Sequence, residues 1–145
     1  MKNFFIFVFI GLTSFTGFAQ KVSNNFESSL RQNPLVESFE MNKTLGTPSF
    51  IRFKTQNLPD ANNAEALIKD LFQFQRSGAQ LVSQSATELK SGLTVVKYKQ
   101  AVKGVIVQHS AIILNQQNGK ILSILAEVFD FPNGSATSSY PKPMP

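Results

Sequence analysis

The segment from Gly92 to Phe129 constrains the fold of this chain more than any other part of the sequence. It contains three runs rich in β-forming residues, and these runs are separated by Lys103-Gly104 and by Asn118-Gly119. Glycine supplies the positive φ that a tight hairpin needs, and Asn-Gly favours a type I′ turn because both residues tolerate the left-handed conformation. Two consecutive hairpins predict an antiparallel meander.

Side chains alternate in polarity along these runs, which predicts strands with one buried face. The three strands are predicted at residues 93–102, 105–114 and 121–128. Gln100 is the one polar side chain on the apolar face of the first strand, while Lys97 and Lys99 lie on its opposite face. The return strand is apolar enough at its end to be central in the sheet.

The residues upstream predict one more strand and an amphipathic helix. Residues 49–55 alternate like a strand, and apolar residues then recur at helical spacing over residues 64–75. Asn62 and Glu65 form a variant capping box at the start of this helix, and Gly78 marks its end. Residues 80–90 predict an additional, more exposed strand. The fold class is therefore α+β, with one amphipathic helix packed on an antiparallel meander of three to four strands in two layers.

The first 19 residues have the pattern of a secretory signal peptide. A basic start at Lys2 precedes an apolar block over residues 4–12, and Gly17-Phe18-Ala19 provides a small-x-small cleavage site. The apolar run is shorter than the roughly 20 residues that span a bilayer. We therefore expect a secreted, periplasmic or cell-envelope protein with no membrane anchor after cleavage. The chain has no Cys, so its stability is expected to come from a packed core and not from disulfides.

Two further segments flank the predicted domain, which spans residues 48–131. Residues 20–47 lack sustained periodicity and predict a partly extended leader. Residues 132–145 are rich in Pro and Ser and predict a linker or a disordered tail. A tail of this kind suggests the front part of a longer gene product, and a stop after Pro145 is the alternative.

The sequence offers no constellation for catalysis or for cofactor or metal binding. His109 is the only His, so a His-based zinc site would lack its other usual ligands, and a strand or surface position is the simpler interpretation. No Gly-x-Ser-x-Gly nucleophile elbow and no Gly-rich phosphate loop is present. We therefore expect no enzyme and no cofactor in this chain as given.

Lys97, Lys99 and Lys103 form a basic strip whose role has several interpretations. Lysines on an edge strand block unwanted strand pairing, which is the favoured interpretation, and steering of an acidic partner is the alternative. Nucleic acid is not expected as a partner of an exported protein with few nearby aromatics. For Gln100, the favoured interpretation is a core amide that fixes the register of the hairpin, and the alternative is contact with a partner enzyme.

The order of these elements resembles the fungalysin/thermolysin propeptide domain of secreted zinc metalloprotease precursors. The resemblance rests on Tyr98-Lys99-Gln100, on Gly104 to Val107 as a Gly-x-x-Val hairpin, and on the turn Asn118-Gly119-Lys120-Ile121. It covers roughly residues 48–131. The chain departs from the family at Gln108-His109-Ser110, where further aromatics or glycines are common, and it contains no His-Glu-x-x-His.

The resemblance implies a two-layer fold of propeptide or cystatin-like type. It also implies that the domain is non-catalytic and acts as intramolecular chaperone and inhibitor of a zinc metalloprotease. The implied partner is the protease catalytic domain, in cis or in trans, and zinc is expected only in such a downstream domain. The implied structural motif comprises Tyr98, Gln100, Gly104, Val107, Asn118 and Gly119. Possible partner contacts are Lys97, Lys99, Lys103 and His109. The alternative is a free-standing exported module that binds a protein or peptide. Such a module could act as a protease inhibitor in trans.

Overall fold

A computed structural model describes residues 26–131 of the chain. The elements in chain order are α1 (Phe26–Gln32), β1 (Val36–Met41), β2 (Pro48–Phe53), α2 (Ala64–Leu71), α3 (Phe74–Ser77), β3 (Ala79–Glu88), β4 (Leu93–Val102), β5 (Val105–Ile106), β6 (Ala111–Gln117) and β7 (Lys120–Glu127). Two short 3₁₀ turns, Thr55–Asn57 and Ala61–Asn63, connect β2 to α2.

All seven strands belong to one antiparallel sheet. Its order is β1-β2-β7-β6-β4-β3, and β5 pairs with β4 beside β6. The predicted meander is therefore present as β3, β4, β6 and β7, and β2 extends the sheet by pairing with the last strand. The α+β class is confirmed, but the prediction of one helix on three or four strands described too small a sheet and too few helices.

The core lies between the three helices and one face of the sheet. The helices contribute Leu30, Ile68, Leu71 and Phe74, all of which are buried. The sheet contributes a matching set: Ile51, Phe53, Tyr98, Ile112, Leu114, Ile121 and Ile124. Val128 adds to it directly after β7. Fully burying such a side chain stabilises the fold by about 1.5–3 kcal/mol, so this one cluster determines which face of each strand points inward.

The predicted helix is interrupted and begins differently from expectation. The capping box of Asn62 and Glu65 is wrong, because Asp60 caps the preceding 3₁₀ turn and its Oδ1 accepts the Asn62 backbone N–H at 2.9 Å. Gln73 then adopts the left-handed conformation with φ of 51°, which separates α2 from α3. The interruption lets Phe72 and Phe74 both enter the core. As predicted, Gly78 ends the helical segment, with φ of 64°.

The predicted return strand over residues 105–114 is broken. β5 pairs Ala101 with Ile106, whereas β6 pairs Tyr98 with Ile112, so the two registers differ and the intervening residues must leave the ladder. His109 has φ of 64° in this loop. A second irregularity lies in β7 opposite Asn115 and Gln116, where Leu122 has no partner in β6 and is not among the buried residues.

Part of the predicted leader is folded. In the described portion of residues 20–47, α1 buries Phe26 and Leu30, and β1 pairs with β2 as an edge strand. The predicted signal peptide and the predicted tail lie outside the described residues, and the domain boundaries at residues 48 and 131 stay predictions. None of the helices within residues 26–131 has the length and apolarity needed to cross a membrane.

Candidate functional site

The side chain of Gln100 forms a two-point contact with the backbone of Phe129. Gln100 has no solvent-exposed surface. Its Nε2 donates to the Phe129 carbonyl oxygen at 2.7 Å, and its Oε1 accepts the Phe129 N–H at 3.0 Å. One side-chain amide thus provides the donor and the acceptor that a neighbouring peptide group would provide in a sheet.

The loop between β5 and β6 provides hydrogen-bond partners for the backbone N–H and carbonyl of Gln100. The Val107 N–H donates to the Gln100 carbonyl oxygen at 2.8 Å, and the Gln100 N–H donates to Ser110 Oγ at 3.0 Å. The Ser110 hydroxyl in turn donates to the Val107 carbonyl oxygen at 2.8 Å. Extending the pairing of Tyr98 with Ile112 by two residues places Ser110 opposite Gln100, so the hydroxyl replaces a backbone acceptor where the ladder is interrupted.

Thr47 holds the residue next to Phe129. It is fully buried, and its Oγ1 donates to the Val128 carbonyl oxygen at 2.7 Å. Thr47, Gln100 and Ser110 are three of the four buried polar residues in the described part of the chain. We call them, with the backbone of Val128 and Phe129, the exit cluster. It fixes the chain where it leaves the sheet after β7, and no buried side-chain polar atom within residues 26–131 lacks a hydrogen-bond partner.

The structure brings together only some of the predicted motif residues. Gln100 and Val107 meet directly, and Gly104 forms the adjacent turn with φ of 79°. Tyr98 lies two residues before Gln100 with its ring in the core, and burial, together with the negative charge of Glu65, raises the pKa of its hydroxyl.

Asn118 and Gly119 lie at the other end of the sheet. Both have positive φ, at 51° and 72°, which fits the predicted type I′ turn. The Ala61 N–H donates to the Gly119 carbonyl oxygen at 2.9 Å. Lys120 Nζ pairs with Asp60 Oδ2 at 3.3 Å. The backbone N–H of Asn62 and then this lysine hold the pKa of the Asp60 carboxyl below its usual value. This turn is therefore tied to the segment before α2 and not to the exit cluster.

The predicted partner contacts divide between two places. Lys97 and Lys99 lie on the sheet face opposite the core, while Lys103 and His109 lie in turns at the end near the exit cluster. The interpretation of the lysines as an edge-strand device is wrong, because β4 lies between β3 and β6. Within residues 26–131, none of these three lysines has a carboxylate oxygen within 4.0 Å.

The real edge at this side of the sheet is β3. It has ten residues and contains no Lys, Arg or Pro, and its register is irregular between Ser83 and Ser85. In the part of the chain that the structure describes, its outer backbone groups pair with no other strand. The exposed strand was predicted over residues 80–90, but its edge position depends on the long-range pairing of β6 with β4.

Two members of the exit cluster were not singled out from the sequence. Ser110 falls on the buried face of the predicted return strand, so its polarity there was a usable signal. Thr47 gave none, because its partner Val128 lies far away in the chain. Among residues 26–131, no three His, Cys, Asp or Glu side chains are grouped so that they could hold a metal ion.

The fold is that of an α+β domain in which helices cover one face of an antiparallel sheet. Residues 79–128 match the family model of the Fungalysin/Thermolysin Propeptide Motif. The match begins at the first residue of β3 and ends beside Phe129, so it covers the whole meander and a third of the chain. The resemblance predicted from the sequence is confirmed over this segment. No curated protein and no solved structure gives a significant match.

Proposed function

We propose that this chain is a secreted, non-catalytic propeptide-type domain that acts as intramolecular chaperone and inhibitor of a zinc metalloprotease. The observation that carries the proposal is the match of residues 79–128 to the propeptide motif, which coincides with β3 to β7. The partner is the protease catalytic domain of the precursor, or the same enzyme in trans. Zinc belongs to that partner, and this chain requires no cofactor.

Such a domain works by binding, and its effect depends on whether it is still attached. Two segments joined by a short flexible linker see each other at an effective concentration of about 1 mM. With a Kd of about 1 μM, this stabilises the folded partner by about 4 kcal/mol. After proteolytic release, dilution below the Kd removes both the stabilisation and the inhibition. A moderate affinity is therefore sufficient for a propeptide that must later leave.

The structure supplies the rigid scaffold that this role needs. The exit cluster fixes the last residues of the domain through Gln100, Thr47 and Ser110, so a segment attached beyond Phe129 starts from a defined position. The three helices of residues 26–131 all pack on the core side of the sheet and leave its other face uncovered. A preorganised surface loses less entropy on binding than a flexible one.

A second candidate is a free-standing exported module that binds a peptide. The observation in its favour is that no strand within residues 26–131 pairs with the outer edge of β3, because an extended peptide can add to such an edge through backbone hydrogen bonds. This module would bind an extended segment of another protein, and inhibition of a protease in trans is one form of that activity.

The test uses the whole chain, expressed in a secreting host, and the chelator-sensitive peptidase activity that the source organism secretes. We expect micromolar chain to slow this activity, and to raise the yield of active enzyme when the denatured peptidase is refolded beside it. The chelator-resistant peptidase activity serves as control and should not change. No slowing and no gain in refolding would exclude the proposed function.

A further inference from the structure

The sheet has one face that no helix of residues 26–131 covers, and we call it the open face. Its side chains are those of the strand positions that alternate with the core residues. On the interior strands they include Phe50, Arg52, Val95, Lys97, Lys99, Ile113, Ser123, Leu125 and Glu127. Glu40 of β1, Val82 of β3 and Ile106 of β5 extend it at the edges.

An apolar row crosses the middle of the open face. Phe50 pairs with Leu125, and Leu125 pairs with Ile113, so three large apolar side chains stand side by side on β2, β7 and β6. Leu125 is 42% exposed, although it lies on an interior strand of the sheet. The row is an accessible apolar surface at the centre of a rigid sheet.

Lysines continue this row on the side of β4. Lys97 pairs directly with Ile113, and Lys99 follows two residues along the same face. Neither has a carboxylate within 4.0 Å in the described part of the chain. The guanidinium of Arg52, by contrast, stacks over the ring of Phe50 at 5.8 Å. The two lysines thus form no ion pair within residues 26–131.

The acidic residues of the open face lie on its other side. Glu40 is on β1, four strands from Lys97, and strands spaced about 4.8 Å apart put these two positions about 19 Å from each other. Glu127 lies on β7, with β6 between it and β4. The half of the face formed by β3, β4 and β5 therefore carries positive charge only.

Residues 1–25 and 132–145 contain no Asp or Glu that could pair with these lysines. All nine Asp and Glu residues lie within residues 26–131, and the segments outside them carry Lys2, Lys21 and Lys142. A second copy of the chain has the same formal net charge of +5. Charge complementarity thus favours a different, acidic protein over either of these occupants.

We infer that the open face is the docking surface for a protein whose contact surface is apolar and carries Asp or Glu carboxylates opposite Lys97 and Lys99. This inference rests on the proposed function, because it assigns the docking face and the surface chemistry of the protease partner. The apolar row supplies buried area at the centre of the contact, and the lysines fix its orientation and speed the encounter.

The first test measures inhibition of the chelator-sensitive peptidase by two matched pairs of variants. Lys97→Glu with Lys99→Glu should raise the inhibitor concentration needed for half-inhibition about tenfold, since opposed charges become like charges. Lys43→Glu with Lys90→Glu changes the net charge equally in turns away from the open face and should stay within about twofold. Leu125→Ser should also weaken inhibition about tenfold, whereas Leu89→Ser, at a turn residue 45% exposed, should not.

The second test needs no peptidase and decides the question if the wild-type chain does not slow one. A soluble peptide in which Asp alternates with Phe is titrated into isotope-labelled chain, and its counterpart with Lys in place of Asp is the control. We expect the Asp peptide alone to shift the amide resonances of β4, β6 and β7. Equal binding of both peptides, no binding, or shifts confined to the outer edge of β3 would overturn the inference.

The outcomes of the two tests distinguish a failure of the open face as docking surface from a failure of the proposed function. If the wild-type chain inhibits and the open-face variants inhibit equally well, the proposed function stands and the open face is not its docking surface. If the chain does not inhibit but the Asp peptide maps to the open face, the function fails and the surface stands. If light scattering shows a dimer that Leu125→Ser dissociates, a second copy occupies the face and the inference is wrong.

Discussion

Replacing Gln100 with leucine tests whether the exit cluster stabilises the domain. The side chains are similar in volume, but leucine removes both hydrogen bonds to Phe129. A buried donor or acceptor left without a partner costs about 1–3 kcal/mol, so the Phe129 N–H and carbonyl together cost about 2–6 kcal/mol. A domain of this size has a total stability of only about 5–15 kcal/mol. We therefore expect Gln100→Leu to lower the free energy of unfolding by a large fraction.

The loss is measured by urea unfolding followed by far-UV circular dichroism. The matched control is Gln84→Leu on the exposed strand β3, where the amide contacts only the carbonyl of Ser83 at 3.3 Å and the expected change is within about 0.5 kcal/mol. Hydrogen exchange adds a local readout, because the Phe129 amide loses its acceptor in Gln100→Leu. Its exchange should accelerate more than the loss of global stability requires.

Gln100→Glu separates hydrogen bonding from packing. A carboxylate can accept the Phe129 N–H but cannot donate to the Phe129 carbonyl, whereas a protonated carboxyl can do both. Burial raises the pKa of the introduced carboxyl in the folded state above its unfolded value of about 4.3. Its contribution is then fully present below that unfolded pKa and is lost as the pH rises through the folded pKa. The stability of this variant relative to wild type should thus improve on acidification.

Three results would refute this account of Gln100. The first is a loss of unfolding free energy in Gln100→Leu of less than about 1 kcal/mol, similar to that of its control, because two unpaired buried groups should destabilise the domain by more than this. The second is an unchanged exchange rate of the Phe129 amide. The third is a stability of Gln100→Glu that follows wild type at every pH. Any of these would mean that water or backbone movement replaces the amide.

Three further predictions concern other residues. Burial raises the pKa of the Tyr98 hydroxyl above its usual 10.0, so this hydroxyl loses its proton in the unfolded state first. The free energy of unfolding should therefore fall as the pH rises from about 10 through the folded pKa. Tyr98→Phe should remove this part of the alkaline loss of stability, as measured by urea unfolding at several pH values. The left-handed conformation costs a non-glycine residue such as Gln73 about 1–2 kcal/mol. Gln73→Gly removes this cost and should raise the thermal midpoint of unfolding, whereas Gln73→Val should lower it. Thr47→Val leaves the Val128 carbonyl without its donor and should cost about 1–3 kcal/mol by urea unfolding.

The meander could be predicted from the sequence because its signals are local. Alternation places Tyr98 and Gln100 on one face of β4, and the turns at Gly104 and Asn118-Gly119 contain residues that tolerate positive φ. These features depend on neighbours within a few residues. The strand at β2 was predictable for the same reason, since Ile51 and Phe53 alternate with polar Arg52.

The parts that were missed depend on contacts between distant segments. β1 carries Glu37 and Glu40, and only its pairing with β2 makes it a strand. The interruption between β5 and β6 at His109 results from the different registers in which these two strands pair with β4. No glycine in this segment allows it to be predicted from the sequence. Gln73 likewise is left-handed at a point where Phe72 and Phe74, on either side of it, both enter the core. Gln100 could be predicted to be a buried amide, but its partner Phe129 could not be predicted, because the chain first passes through three more strands.

The position of β2 has a consequence for the order in which the domain acquires its fold. β2 is made early but pairs with β7, and Ile51 faces Ile124 across half the length of the chain. Contacts so distant in sequence form slowly because a long loop must close first. As the chain is synthesised from its N-terminus, β1 and β2 have no place in the sheet until β7 has been made. The strand order thus delays completion of the sheet until nearly the whole domain is available, so β1 and β2 stay unpaired with the rest of the sheet until the last strand can join them.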